Sequence, residues 1–199
     1  MKRAAASLVA CLATLGLSAL PARAVPVDPQ GLIRADLLGR AMAALQAHRG
    51  EADPTRLVVV DYSRRSSDPR AFVVNLETGI VEEAFRAAHG SGSDPDHDGF
   101  LDRFSDVPGS SASPEGAYLV AEEYVGKHGR SLRLDGLDKT NANARDRAIV
   151  IHAADYAEPS FLQQHGKLGR SNGCIVFSQE DLSLFLKDVP ERTLIFVGK

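Results

Sequence analysis

The stretch IVIHAADYAEPSFLQQHGKLGRSNGC, residues 149–174, runs from a short β-branched segment ending in His152 to a glycine-containing loop ending in Cys174. RAIVIH (147–152) reads as a strand, because branched side chains fit a pleated, half-buried surface. Glu158-Pro159 then starts a short helix that Gly166 terminates, and LGRSNGC (168–174) is loop. Beyond it, Ser178 caps the acidic first turn Gln179-Glu180-Asp181 of a helix with Leu182, Phe185 and Leu186 inward. Pro190 ends that helix, and TLIFVG (193–198) is a last strand.

Upstream the period is mostly two. RLVVVDYS (56–63), RAFVVNLETG (70–79) and IVEEAFRAAHG (80–90) form a meander of three strands with a turn at Thr78-Gly79. A long polar segment from Gly90 to Gly116 follows, and AYLVAEEYVG (117–126) and SLRLDGL (131–137) are further strands. Ahead of the meander, Leu32, Ile33, Leu37, Leu38, Met42 and Leu45 recur at helical spacing between Asp28-Pro29 and Gly50. The predicted fold is therefore mostly β (α+β). An amphipathic helix within residues 25–52 packs on a single domain, residues 53–199, with further helices near the thiol and towards the end.

Lys2 and Arg3 precede an apolar run, Ala4 to Leu20, and Ala22-Arg23-Ala24 forms a small-residue cleavage pattern. Residues 1–24 read as a secretory leader cut before Val25, which places the rest in the periplasm or outside the cell without a transmembrane segment. The alternative is lipoprotein processing at Cys11, after Leu8-Val9-Ala10, but that cut would fall inside the apolar run. The formal net charge is −3, and removal of the leader's Lys2, Arg3 and Arg23 leaves the remainder more acidic still, which argues against a nucleic-acid partner.

Cys174 is then the one cysteine outside the leader. In an oxidising compartment an unpaired thiol is either buried and inert or a nucleophile. Nucleophilic use needs a base or a positive neighbour, and the thiol is expected to be accessible and acidic. His152, on a rigid strand end, is the first candidate base, and His165, at a helix end, the second. Asn172, Gly173 and Cys174 could turn their amides towards a developing oxyanion, since glycine leaves the turn uncluttered. The Ser171 hydroxyl could support either the histidine or the turn. The alternative is a buried cysteine after a tight turn, beside a strand-end histidine with its hydrogen bonds satisfied.

His152 followed by Ser171-Asn172-Gly173-Cys174 resembles the signature of the L,D-transpeptidase (YkuD-like) catalytic domain, in its murein L,D-transpeptidase branch. SPEGAYLV (113–120), the opening strands and the terminal helix and strand extend the likeness over roughly residues 55–199. The resemblance implies a YkuD-like β-sandwich or barrel. It also implies a cysteine that attacks the tetrapeptide stem of peptidoglycan, releases D-alanine and passes the acyl group to an amine, giving a 3-3 cross-link. Cys174 matches the nucleophile, His152 the general base, and the Ala153 carbonyl the group that orients the imidazole. This chain departs from the pattern in having Asn172 where many members carry histidine and Val176 where many carry arginine. Arg145, Arg147 or Arg170 could supply the missing charge.

No cofactor is required for such chemistry. SDPDHDGFLD (93–102) does place Asp94, Asp96 and Asp98 ahead of Gly99 like the opening of an EF-hand loop, and these could hold a calcium ion. Its twelfth position is Ser105, not glutamate, so a plain acidic turn is the competing interpretation. His89 and His128, in glycine-rich turns, could line a substrate groove. Two other functions remain open: an L,D-carboxypeptidase or amidase using the same residues, and a non-catalytic envelope-binding module.

Overall fold

A computed structural model describes residues 25–199; the leader and Cys11 lie outside the described residues. An eight-stranded mixed sheet organises the chain. Its strands are β1 (Arg56–Asp61), β2 (Ala71–Asn75), β3 (Val81–Phe85), β4 (Gly116–Gly126), β5 (Gly129–Gly136), β6 (Val150–Ala153), β7 (Ile175–Phe177) and β8 (Leu194–Gly198), in the order β3-β2-β1-β8-β4-β5-β6-β7. The helices are α1 (Ala35–Ala47), α2 (Pro159–His165) and α3 (Gln179–Asp188). Beyond β3 the chain crosses to the far edge, where Ala88 bridges Val176 of β7, so the two ends of the sheet are tied together.

Strand alternation divides the sheet into two faces. Val58, Val73, Tyr118, Leu134, Ile151 and Phe177 belong to one core, which α3 completes with Leu182 and Phe185. Leu57, Val59, Phe72, Leu119 and Phe196 point the other way and are covered by Leu37 and Ala41 of α1. The registers Leu119↔Asp135, Arg133↔Val150 and Ser131↔His152 carry that second face onward across β5 and β6. His152 therefore stands on the face that α1 covers at the other end of the sheet.

Two boundaries differ from the sequence reading. The first helix begins at Ala35 and not at Asp28, whose φ of +53° is not helical. The Asp28 carboxylate instead accepts the Leu32 and Ile33 amides at 3.0 and 2.8 Å, and its own amide donates to Gly79. The second difference is β7, three residues long and paired in parallel with β6, which is too short to carry a period of its own.

Phe185 is fully buried, with its ring centroid 5.1 Å from Phe177 and 6.2 Å from Phe85. Phe185→Ala is expected to cost about 3–5 kcal/mol of stability. Urea unfolding followed by circular dichroism checks this; a loss below about 1 kcal/mol would mean that α3 does not complete this core.

Candidate active site

The turn that carries Cys174 is held from three sides. Ser171 Oγ donates to the Cys174 carbonyl at 2.8 Å and accepts the Gly173 amide at 3.1 Å. The Ser171 amide donates to the His89 carbonyl, and the Ser171 carbonyl accepts the Ser91 amide, both at 2.8 Å. Ser113 Oγ donates to the Gly173 carbonyl at 3.1 Å. Gly173 has a φ of +120°, and a β-carbon there would stand 2.7 Å from the Ala112 carbonyl oxygen, so glycine is required twice over. The serine thus serves the turn and not the histidine. It also occupies the Gly173 amide, which leaves Asn172 and Cys174 as the turn's candidate oxyanion donors.

His152 comes from β6, paired with Val176 of β7 on one side and Ser131 of β5 on the other. The residue is 2 % exposed, and its Nδ1 lies 2.9 Å from the Ala153 carbonyl oxygen. A carbonyl only accepts, so Nδ1 carries the hydrogen and Nε2 the lone pair a base needs. Burial lowers the pKa of His152 below the ordinary histidine value; the Ala153 bond opposes this, while the His128 and Lys127 charges add to it.

Cys174 is half-buried and, among the described residues, has no disulfide partner. Its Sγ lies 3.6 Å from the carbonyl oxygen of Ala148, which has a φ of +52°, an uncommon conformation for a residue with a side chain. Burial raises the thiol above the ordinary cysteine pKa, against the pull of the Val150 amide, Lys127 and Arg147. The acidic thiol expected from sequence is thus not what the free chain holds. A raised thiol and a lowered imidazole both favour the neutral forms of these two side chains.

Cys174, His152, Ser171 and Asn172 line one groove of about 530 Å³, together with His128 and Tyr156. His165 is exposed at the end of α2, its ring tilted against that of Phe161, and is not among the groove's lining residues. His89 is 1 % exposed behind the turn, between Arg70 at 2.7 Å and Asp94 at 3.2 Å, and burial pushes its pKa down to about 2. Of the arginines proposed from sequence, Arg145 is paired at the surface with Glu122 and Asp135. Arg147 is paired with Asp106 and bonded to the Ser105 and Ala112 carbonyls. Arg170 lines the groove while donating to the Asp94 carbonyl, and Lys127, which the sequence reading did not single out, lines it as well.

Oxygens of Asp94, Asp96 and Asp98 lie within 4.8 Å of one another, close enough to meet at one cation. The buried Asp94 carboxylate also accepts the Asp98 and Gly99 amides at 3.0 and 3.2 Å, in addition to facing His89. The chain itself therefore folds this loop about Asp94. No described helix is long and apolar enough to cross a membrane.

A thiol and an imidazole of fixed tautomer thus line one groove beside a glycine turn on a strand-rich frame. The family description of the L,D-transpeptidase catalytic domain matches residues 30–197, and the chain belongs to that family of enzymes. Solved structures with a similar course include an L,D-transpeptidase from Mycobacterium smegmatis (15 % identity, 73 % of this chain and 59 % of that one, TM-score 0.45). Another is an L,D-transpeptidase from Mycobacterium tuberculosis H37Rv (17 % identity, 73 % and 58 %, TM-score 0.46). A third comprises residues 123–326 of an L,D-transpeptidase from Xylanimonas cellulosilytica (16 % identity, 79 % and 68 %, TM-score 0.45). The chain spans a little under three fifths of the length of the first two. No curated protein matches its sequence.

Two outcomes are expected. Because burial holds the thiol up, the alkylation rate of Cys174 by iodoacetamide should rise only as pH passes the range of an ordinary free cysteine; a rate already at its plateau at pH 6 would contradict this. Gly173→Ala should cost about 1–3 kcal/mol through backbone strain, read by thermal unfolding, and should slow alkylation by displacing the sulfur.

Proposed function

We propose that the chain is an exported L,D-transpeptidase whose nucleophile is Cys174 and whose general base is His152, acting on tetrapeptide stems of peptidoglycan. His152 Nε2 takes the thiol proton as sulfur adds to the carbonyl carbon of the third stem residue. The Asn172 and Cys174 amides stabilise the oxyanion. Collapse of the tetrahedral intermediate breaks the bond to the terminal D-alanine, whose nitrogen recovers the proton from His152. The acceptor amine of a second stem then attacks the thioester carbonyl and gives up a proton through His152, and Cys174 leaves as the free thiol. Nucleophile, base and amide donors all come from the chain, so this reading calls on no cofactor.

The observation that carries the reading is the Ala153 carbonyl fixing the His152 tautomer in the groove that holds Cys174. Arg170 and Lys127 in that groove suit a donor rich in carboxylates. Export rests on the leader pattern of residues 1–24, which also sets the proposed start of the working chain at Val25.

Incubation with purified tetrapeptide muropeptides and mass spectrometry tests this. Loss of D-alanine with formation of 3-3 dimers is expected from the parent chain. Cys174→Ala should abolish both products, and His152→Ala should reduce the rate by about 10²–10⁴-fold. D-alanine loss without dimers would instead indicate a hydrolase, and full activity in Cys174→Ala would overturn the assignment.

A further inference from the structure

The hairpin of β4 and β5 ends over the candidate base. Its last rungs are Tyr124↔Ser131, Val125↔Arg130 and Gly126↔Gly129, and the chain turns through Lys127-His128. Gly129 takes a φ of +76°, the left-handed residue on which a tight hairpin turn closes. A register shift between Val120 and Glu123 bends the hairpin along its length. At the tip, the exposed His128 ring lies nearly flat on the buried His152 ring, with centroids 4.1 Å apart and planes 20° from parallel. The tip is stiffened by the paired Arg130–Glu123 contact at 2.6 and 3.1 Å and by Arg133 over the Tyr124 ring at 4.3 Å. A β-carbon at Gly126 would stand 2.7 Å from the Tyr124 ring, so the last rung packs directly on that ring.

The bond from Nδ1 to the Ala153 carbonyl is a single tether, about which an imidazole can still tilt. A second ring against its face removes that freedom. Charge enters as well, because two imidazoliums stacked at this distance repel, and Lys127 beside them adds a fixed positive charge.

We propose that His128 is a positioning residue of the active site, clamping the face of His152 and, with Lys127, opposing the protonation that would disable it as a base. This rests on the reading of His152 as the base. The other ionisable groups around the pair sit on several elements. Cys174 precedes β7, Tyr156 follows β6, Arg147 precedes β6 and Arg170 lies on the nucleophile turn; Tyr124 and Arg133 rise from β4 and β5. Asp155 and Glu158 line the adjoining groove, of about 600 Å³, which His128 and Lys127 also border. The downward direction of the His152 pKa, with His128 and Lys127 among its causes, agrees with this assignment. Its sign is fixed: removing either positive group makes protonation of His152 easier, so the base is lost at higher pH.

The test is a titration of the His152 ring by NMR in histidine-labelled chain, for the parent, His128→Phe and Lys127→Met, alongside the muropeptide assay. Both substitutions are expected to move the His152 midpoint to higher pH and the acidic limb of kcat/KM with it. His128→Ala, which also removes the clamp, should lower kcat about tenfold with little change in KM, and His128→Phe should restore most of that loss at a pH where His152 is neutral. A midpoint unmoved in both His128→Phe and Lys127→Met would overturn the inference. A midpoint that moves in a chain that releases no D-alanine would leave His128 in its positioning role and overturn the transpeptidase reading instead.

Discussion

A three-rung parallel ladder between β6 and β7 sets the geometry of the site. Ile151, His152 and Ala153 pair with Ile175, Val176 and Phe177, so the candidate base lies opposite the second residue after the cysteine. Ile151 and Phe177 on this ladder are buried in the core that α3 completes, while His152 emerges on the other face. Alternation thus anchors the strands on one side and presents the imidazole on the other. The bridge from Ala88 to Val176 then covers the outer edge of β7, so that a strand of only three residues is held on both sides.

Behind that ladder lies a buried polar network. Arg70, with no exposed surface, donates to the Ala87 carbonyl and stacks on Tyr62, and one of its nitrogens meets His89. His89 in turn meets Asp94, while its carbonyl receives the Ser171 amide. A guanidinium buried this deeply is tolerable only with its donors satisfied. Its pKa falls to about 10 through burial, still leaving it charged at neutral pH. The acidic loop and the Cys174 turn are consequently parts of one support.

Much of this was legible in the sequence because it lies in local pattern. The strands, the Ser178 cap and the glycine turn each follow from neighbouring residues, and Ser178 Oγ does accept the Asp181 amide at 3.1 Å. Less was legible where partners come from afar. Asp28 looked like a helix start, yet its amide is bound by Gly79 and it belongs to a turn. His89 and His128 share the same glycine-rich setting in sequence, but one is sealed behind the turn and the other rests on His152. An exposed residue in a hairpin turn carries no periodic signal, so the only clue to His128 was a histidine between glycines. An acidic thiol follows from reading Cys174 as a nucleophile, whereas burial, which the sequence does not display, outweighs the pull of Lys127 and Arg147.

Holding the sulfur protonated has a consequence for its resistance to oxidation. Peroxides oxidise thiolates far faster than thiols. With its pKa raised and Sγ beside the Ala148 carbonyl, Cys174 presents little of the form that becomes sulfenic acid. The same burial that keeps the proton on sulfur thereby shields the side chain from oxidation.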